Sequence, residues 1–192
     1  ACRPTSRPWA GGRGERLSRI MDFNPDVHRR PSIRLKGYDY SSPGACFITI
    51  CTYQRECLLG NVEDGQLGLS ELGQMVQAAW SSLLARFPSV GLDAAVVMPN
   101  HLHGILVVTK QRAWTSPAPT LGTVVGTFKS LITRECLARA KQENRRLQAG
   151  KLWHCNYFEH IIRDESEMNR IREYIHQNPA RWAEDEYNTA NV

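Results

Sequence analysis

Two histidines one residue apart, His101 and His103, stand in the run Met98-Pro99-Asn100-His101-Leu102-His103-Gly104-Ile105-Leu106-Val107-Val108. Successive side chains on a β-strand alternate faces, so both imidazoles would project from one surface while Leu102 anchors the other. Neutral imidazole is the commonest protein metal ligand, and two neighbouring ones make half of a divalent-metal site. A His-x-His pair also arises by chance, and the pair alone leaves both readings open. A second group lies in Glu173-Tyr174-Ile175-His176-Gln177-Asn178. If this segment is helical, Tyr174, Gln177 and Asn178 share one face beside an apolar stripe of Met168, Ile171 and Ile175. A tyrosine at such a margin ordinarily half-buries its ring and leaves its hydroxyl wet, and a nucleophilic role is the alternative.

The remaining candidates have bland readings beside their chemical ones. His160 falls on a strand, and His176 projects about 200° around the helix from Tyr174. Both histidines read as structural, as does His154. Tyr157 is a rival nucleophile but sits on a strand. Lys129 is a candidate phosphate contact, with Arg134 and Arg139 weaker ones. Trp153 could stack on a base or simply cap the core.

These residues need elements to hold them. Ser42-Pro43-Gly44 signals a turn, and Ala45 to Tyr53 reads as a strand rich in Ile, Thr and Phe. An amphipathic helix follows, capped by Ser70, with Leu72, Met75, Val76, Ala79, Trp80, Leu83, Leu84 and Phe87 at helical spacing until Pro88. Leu92 to Met98 and His101 to Thr109 are strands joined so tightly that they must be antiparallel neighbours. A Pro-rich loop, Thr115 to Thr120, leads to a helix with Leu121, Val125, Phe128, Leu131, Ile132 and Cys136 on one stripe. Tyr157 to Arg163 is a fourth strand. Asp164 then caps a last helix, with Glu167 at the capping-box position, and Asn178-Pro179 ends it. The expected fold is α+β: a ferredoxin-like βαββαβ unit with a four-stranded antiparallel sheet and an additional C-terminal helix carrying Tyr174. The third strand would be central and buried on both sides, with the extra helix covering the face where the histidines look out.

The chain has 192 residues and a formal charge of +5, spread unevenly. Residues 1–36 carry nine Lys/Arg against three acids, and residues 110–151 carry nine against two. Such blocks attract polyanions through phosphate contacts, although a solvated helix face explains many charge runs. Residues 1–31, rich in Arg, Pro and Gly, are expected to be a disordered basic arm. Met21 lies inside that arm, so a start there stays open. Residues 32–182 are expected to form the domain and 183–192 a tail. With six cysteines and no C-x-x-C pair, reduced thiols are expected. No apolar run is long enough to span a membrane and no signal-peptide core is seen, which predicts a cytoplasmic protein.

Five segments, in order, resemble one family: Tyr38 to Tyr53; Val97-Met98-Pro99-Asn100-His101-Leu102-His103; Val125-Gly126-Thr127-Phe128-Lys129-Ser130; Trp153 through Tyr157-Phe158-Glu159-His160-Ile161-Ile162-Arg163-Asp164-Glu165; and Tyr174-Ile175-His176-Gln177-Asn178-Pro179. From Ser32 to Trp182 the chain resembles the REP-associated tyrosine transposases, in the single-tyrosine branch of the HUH endonuclease superfamily. The resemblance implies that His101 and His103 bind a divalent metal and that Tyr174 cuts single-stranded DNA. It also implies a third ligand one turn beyond the tyrosine, often glutamine in related enzymes. Here that offset holds Asn178, with Gln177 as fallback. The implied reaction is a transposase-like strand transfer on single-stranded or hairpin DNA through a 5′-phosphotyrosine, by a monomer or a homodimer. A covalent link keeps the phosphodiester energy for rejoining without a nucleotide cofactor. Tyrosine is a weak nucleophile at neutral pH, so a metal must offset the developing charge, and Mg²⁺ or Mn²⁺ would suit, Mn²⁺ better matching imidazole. Two alternatives stay open: a domesticated protein that grips a DNA or RNA hairpin without cutting, and a zinc-binding hydrolase or structural zinc domain.

Overall fold

A computed structural model describes residues 39, 42–109, 119–142 and 152–188, all within one unit spanning 33–192. The expected arm of residues 1–31, most of the Pro-rich loop, the polar link after the second long helix and the final four residues lie outside the described set.

The order is β1 (Gly44–Cys51), β2 (Gly60–Glu63), β3 (Gln66–Leu69), α1 (Glu71–Arg86), β4 (Val90–Met98), β5 (His101–Val108), α2 (Leu121–Gln142), β6 (Phe158–Ile162) and α3 (Glu165–Gln177), with a 3-10 turn over Pro179–Glu184. Four strands form one sheet in the order β4-β5-β1-β6, every neighbouring pair antiparallel. That is the strand order of a ferredoxin-like fold. β5 lies between β4 and β1, and all but one of its residues are buried.

The period-two alternation of β5 divides the protein into two layers. Leu102 and Leu106 join Ile48 and Ile50 of β1 in a core covered by α1 and α2 through Val76, Trp80, Leu83, Leu121, Val125, Phe128 and Ile132. Gly104 makes this approach close: a Cβ there would sit 2.5 Å from the Trp80 ring, so the indole lies directly on the strand backbone. On the other face a smaller core of Phe47, Ile105 and Ile162 receives Ile175 of α3, with Met168 and Ile171 beside it.

α3 is held at both ends. Asp164 caps it by accepting from the Glu167 amide at 2.8 Å. Glu167 does not close the reciprocal box onto the cap residue itself; its carboxylate accepts from the Arg163 amide and from His160 Nε2, each at 2.8 Å. Farther along, Arg172 forks onto Asp93 with two bonds of 2.8 Å. Asp93 sits at the irregularity between Leu92 and Ala95 in β4. The guanidinium holds its carboxyl down at about 2.

The β2-β3 hairpin was not expected from the sequence. Its turn, Asp64-Gly65, has positive φ at both residues (51° and 74°), the conformation for which an Asp-Gly pair is suited. β1 is also shorter than expected, ending at Cys51, because the chain turns through Gln54 and Arg55 at φ of 55° and 56°.

Candidate active site

His101 and His103 face α3, with relative exposures of 0% and 1% and ring centroids 4.3 Å apart. Each ring is oriented by a residue that sequence reasoning had not singled out. The Asn100 amide donates from Nδ2 to the carbonyls of Arg55 (3.1 Å) and Tyr187 (2.7 Å), leaving its Oδ1 as the acceptor 2.8 Å from His101 Nδ1. Nδ1 therefore carries the proton, and Nε2 presents a lone pair. That Nε2 is buried with no hydrogen-bond partner among the described residues. His103 Nδ1 lies 2.9 Å from Thr49 Oγ1, and its Nε2 lies 3.3 Å from the Tyr174 hydroxyl. Burial pushes His103 down to about 3 and His101 well below the ordinary histidine value, the latter with a further push from His103. Both rings are neutral at physiological pH, the form that binds metal.

The third member of the cluster is Asp185. Its carboxylate and the two imidazoles place ligand atoms within 4.8 Å of one another, a buried set that could hold a metal ion. Sequence reasoning missed it by ending the domain at residue 182. The signal available was the acidic run Glu184-Asp185-Glu186 just past Asn178-Pro179, where the chain reverses toward the sheet. Asn178, the expected third ligand, is 3% exposed and donates from Nδ2 to Asp185 Oδ2 at 3.0 Å. Its Oδ1 is buried without a hydrogen-bond partner among the described residues, so the amide oxygen is also available. Gln177 is exposed and bonds Glu173 within the helix; the structure does not bring it to the cluster.

Tyr174 is 40% exposed, its ring 5.3 Å from that of His103 and 6.1 Å from that of Phe47. Burial raises its hydroxyl pKa, as do the charges of Asp185 and Glu186, against a lowering by Asn178 and Arg181. A cleft of about 260 Å³ opens beside it, lined by Tyr174, Asn178, Arg181, Glu184, Asp185 and Glu186. Tyr187 covers the other flank, its ring 4.7 Å from His101 and beneath the Arg55 guanidinium at 4.8 Å.

The expected DNA contacts are placed elsewhere. Trp153 is 7% exposed, packs 5.9 Å from Phe128 and pairs with Thr52 as a β-bridge; it belongs to the core and not to a stacking surface. Lys129 donates to the carbonyls of His154 and Asn156, both at 2.9 Å, and so clasps the segment leading into β6. Arg134 and Arg139 are exposed on α2, across the sheet from the histidines, and Arg139 pairs with Glu135. Tyr157 packs at the edge of the α1/α2 core, away from His103. His160 is held by Glu167, His154 accepts weakly from the Asn156 amide at 3.4 Å, and His176 is exposed at the end of α3.

The four-stranded sheet and its helices have the fold of a REP-associated tyrosine transposase. A solved structure of such a transposase, bound to a REP hairpin, superposes with a TM-score of 0.54 at 21% identity, covering 78% of this chain and 74% of that one. The chain belongs to the same family as an uncharacterized protein of Haemophilus influenzae, to which it is 40% identical over 179 residues, 85% of this chain and 96% of the other. No family model matches the chain. Among the described residues no helix is long and apolar enough to cross a membrane.

Proposed function

We propose that this protein is a divalent-metal-dependent strand transferase that cuts single-stranded or hairpin DNA with Tyr174. The observation that carries the reading is the approach of the Tyr174 hydroxyl to 3.3 Å from His103 Nε2, at the rim of the His101-His103-Asp185 cluster. A nucleophile and a metal site meet there, and neither is needed for binding alone. The fold shared with a transposase bound to a REP hairpin supports DNA as the partner.

The donor set fits a cation: among the described residues one buried imidazole nitrogen and one buried amide oxygen have no partner, and a carboxylate supplies negative charge. His101, His103 and Asp185 would hold the ion, with the Asn178 oxygen as a further ligand. Mn²⁺ or Mg²⁺ would polarise the scissile phosphate and stabilise charge developing on it. The Tyr174 oxygen attacks phosphorus, the bond from phosphorus to O3′ breaks, and the products are a 5′-phosphotyrosine and a free 3′-hydroxyl. The phenol proton is lost as the new bond forms, and the leaving O3′ takes up a proton. Arg181, in the same cleft, would steady the phosphate. Arg134 and Arg139, across the sheet, would add salt-dependent affinity for a hairpin stem without touching the chemistry. The sequence predicts a cytoplasmic protein, and the reading requires only that it meet DNA.

The test is incubation with labelled single strands and hairpins in Mn²⁺ or Mg²⁺, followed by denaturing electrophoresis. Wild type should give a denaturation-resistant adduct and Tyr174→Phe none. A second reading is favoured by Asp185: two histidines and a carboxylate also suit a hydrolytic zinc site. Stoichiometric tight zinc after purification, with cleavage unaffected by Tyr174→Phe, would select it.

A further inference from the structure

We propose that Phe158 is a stacking platform for a nucleobase of the strand that Tyr174 cuts, an inference that rests on the reading above. Among the described residues the large exposed apolar side chains are Leu58, Leu84, Leu137, Phe158 and Tyr174. The three leucines need no special account, since isolated exposed hydrophobes are ordinary. The two aromatics share a neighbour, Phe47. Phe158 meets the Phe47 ring edge-on at 6.5 Å and 68°, and Tyr174 meets the same ring at 6.1 Å and 81°.

The sheet register fixes how close this pair is to the chemistry. Thr49 of β1 pairs with His103 on one side and with Phe158 on the other. His103, Thr49 and Phe158 thus form one row across β5, β1 and β6, with side chains on the α3 face. Two strand spacings separate the ends of the row by roughly 10 Å. Among the described residues β6 is the outermost strand of the sheet, with no further strand between the Phe158 ring and a ligand approaching from that edge. Phe47, 8% exposed and 5.2 Å from the His103 ring, supports both exposed aromatics from below.

A leucine would seal the Phe47 edge as well as a phenylalanine does. What the aromatic adds is a flat π-face, held on one side and 53% exposed overall. Single-strand binders use such rings because every base has a face to stack, with little regard to sequence. Phe158 therefore contributes affinity and placement near the cut phosphate, while sequence choice resides elsewhere.

The experiment uses full-length protein carrying Tyr174→Phe, so that DNA binds uncut, with Mn²⁺ and a short single strand containing 2-aminopurine near its centre. Phe158→Ala should weaken binding roughly 5- to 150-fold, the range for loss of one stacked base. Phe158→Leu should be as weak as the alanine variant, whereas Phe158→Trp and Phe158→Tyr should restore binding. Quenching of 2-aminopurine should be lost with alanine and leucine and kept with tryptophan. Thermal unfolding checks that each variant is folded. Binding by Phe158→Leu equal to the parent overturns the inference, and so does unchanged binding by Phe158→Ala; in both cases adduct formation by the wild type still stands. A parent that binds no single strand, paired with a wild type that forms no adduct, overturns the reading on which the inference rests and the inference with it.

Discussion

Asn100 offers the sharpest perturbation of the proposed metal site, because it touches no proposed ligand atom. Its side chain is wholly buried and makes three hydrogen bonds: two donated to the Arg55 and Tyr187 carbonyls and one accepted from His101 Nδ1. Asn100→Ala removes all three and releases the imidazole from the tautomer that points Nε2 at the cluster. Outer-sphere partners of metal-binding histidines are worth about 10- to 100-fold in affinity, so Mn²⁺ binding should weaken by that factor. Stability should fall as well. At about 1 kcal/mol per hydrogen bond the loss is roughly 3 kcal/mol, or a drop in Tm of about 6–12 °C for a domain of this size. Asn100→Asp separates the two effects: it keeps an oxygen toward His101 but turns a carboxylate onto two carbonyls. It should bind Mn²⁺ better than the alanine variant while being less stable than wild type. The assay is isothermal titration with Mn²⁺ beside thermal unfolding. An alanine variant that binds Mn²⁺ as tightly as wild type would refute the tautomer argument.

Asp185→Ala should lower metal affinity at least as much as Asn100→Ala, read by the same titration, whereas Gln177→Ala should leave it unchanged. Acidification should destabilise the metal-free protein. Both imidazoles stay neutral in the fold while the unfolded chain protonates below about pH 6.5, so stability is full above that value and falls as pH drops toward about 3 for His103. At pH 5 the loss from His103 alone is on the order of 2 kcal/mol, measurable by urea unfolding and reduced in His103→Gln. Gly104→Ala should cost roughly 1–3 kcal/mol by urea unfolding, since its methyl group would lie 2.5 Å from the Trp80 ring. Arg172→Ala should loosen α3 from β4, detected as faster amide exchange in residues 165–177 with the sheet amides unchanged.

Much of this architecture was legible because it rests on periodicity. The alternation around Leu102 put both histidines on one face, and the 3.6-residue repeat of Met168, Ile171 and Ile175 put α3 over them. The tight Pro99-Asn100 link made β4 and β5 neighbours. What stayed hidden depends on contacts between distant segments. Asp185 reaches the histidines only because the chain reverses after Asn178, and the acidic run Glu184-Asp185-Glu186 does not by itself say which of its carboxylates turns toward the sheet. Lys129 looked like a phosphate contact, but its acceptors are carbonyls 25 and 27 residues onward. Trp153 shows that a core indole and a stacking platform share one composition, and only burial distinguishes them. The β2-β3 hairpin is the exception, since Asp64-Gly65 was a readable signal between strands of only four residues.

Tyr174 is the residue proposed to form the covalent link to DNA. Wild-type protein incubated with a hairpin and Mn²⁺ can be digested with nuclease and protease, and the nucleotide-bearing peptide identified by mass spectrometry. A single modified peptide is expected, from α3, with the mass addition on Tyr174. A nucleotide on Tyr187, whose ring lies 5.8 Å from that of His103, or on Tyr157 across the sheet, would contradict it. Cleavage with no protein-bound nucleotide would contradict it as well.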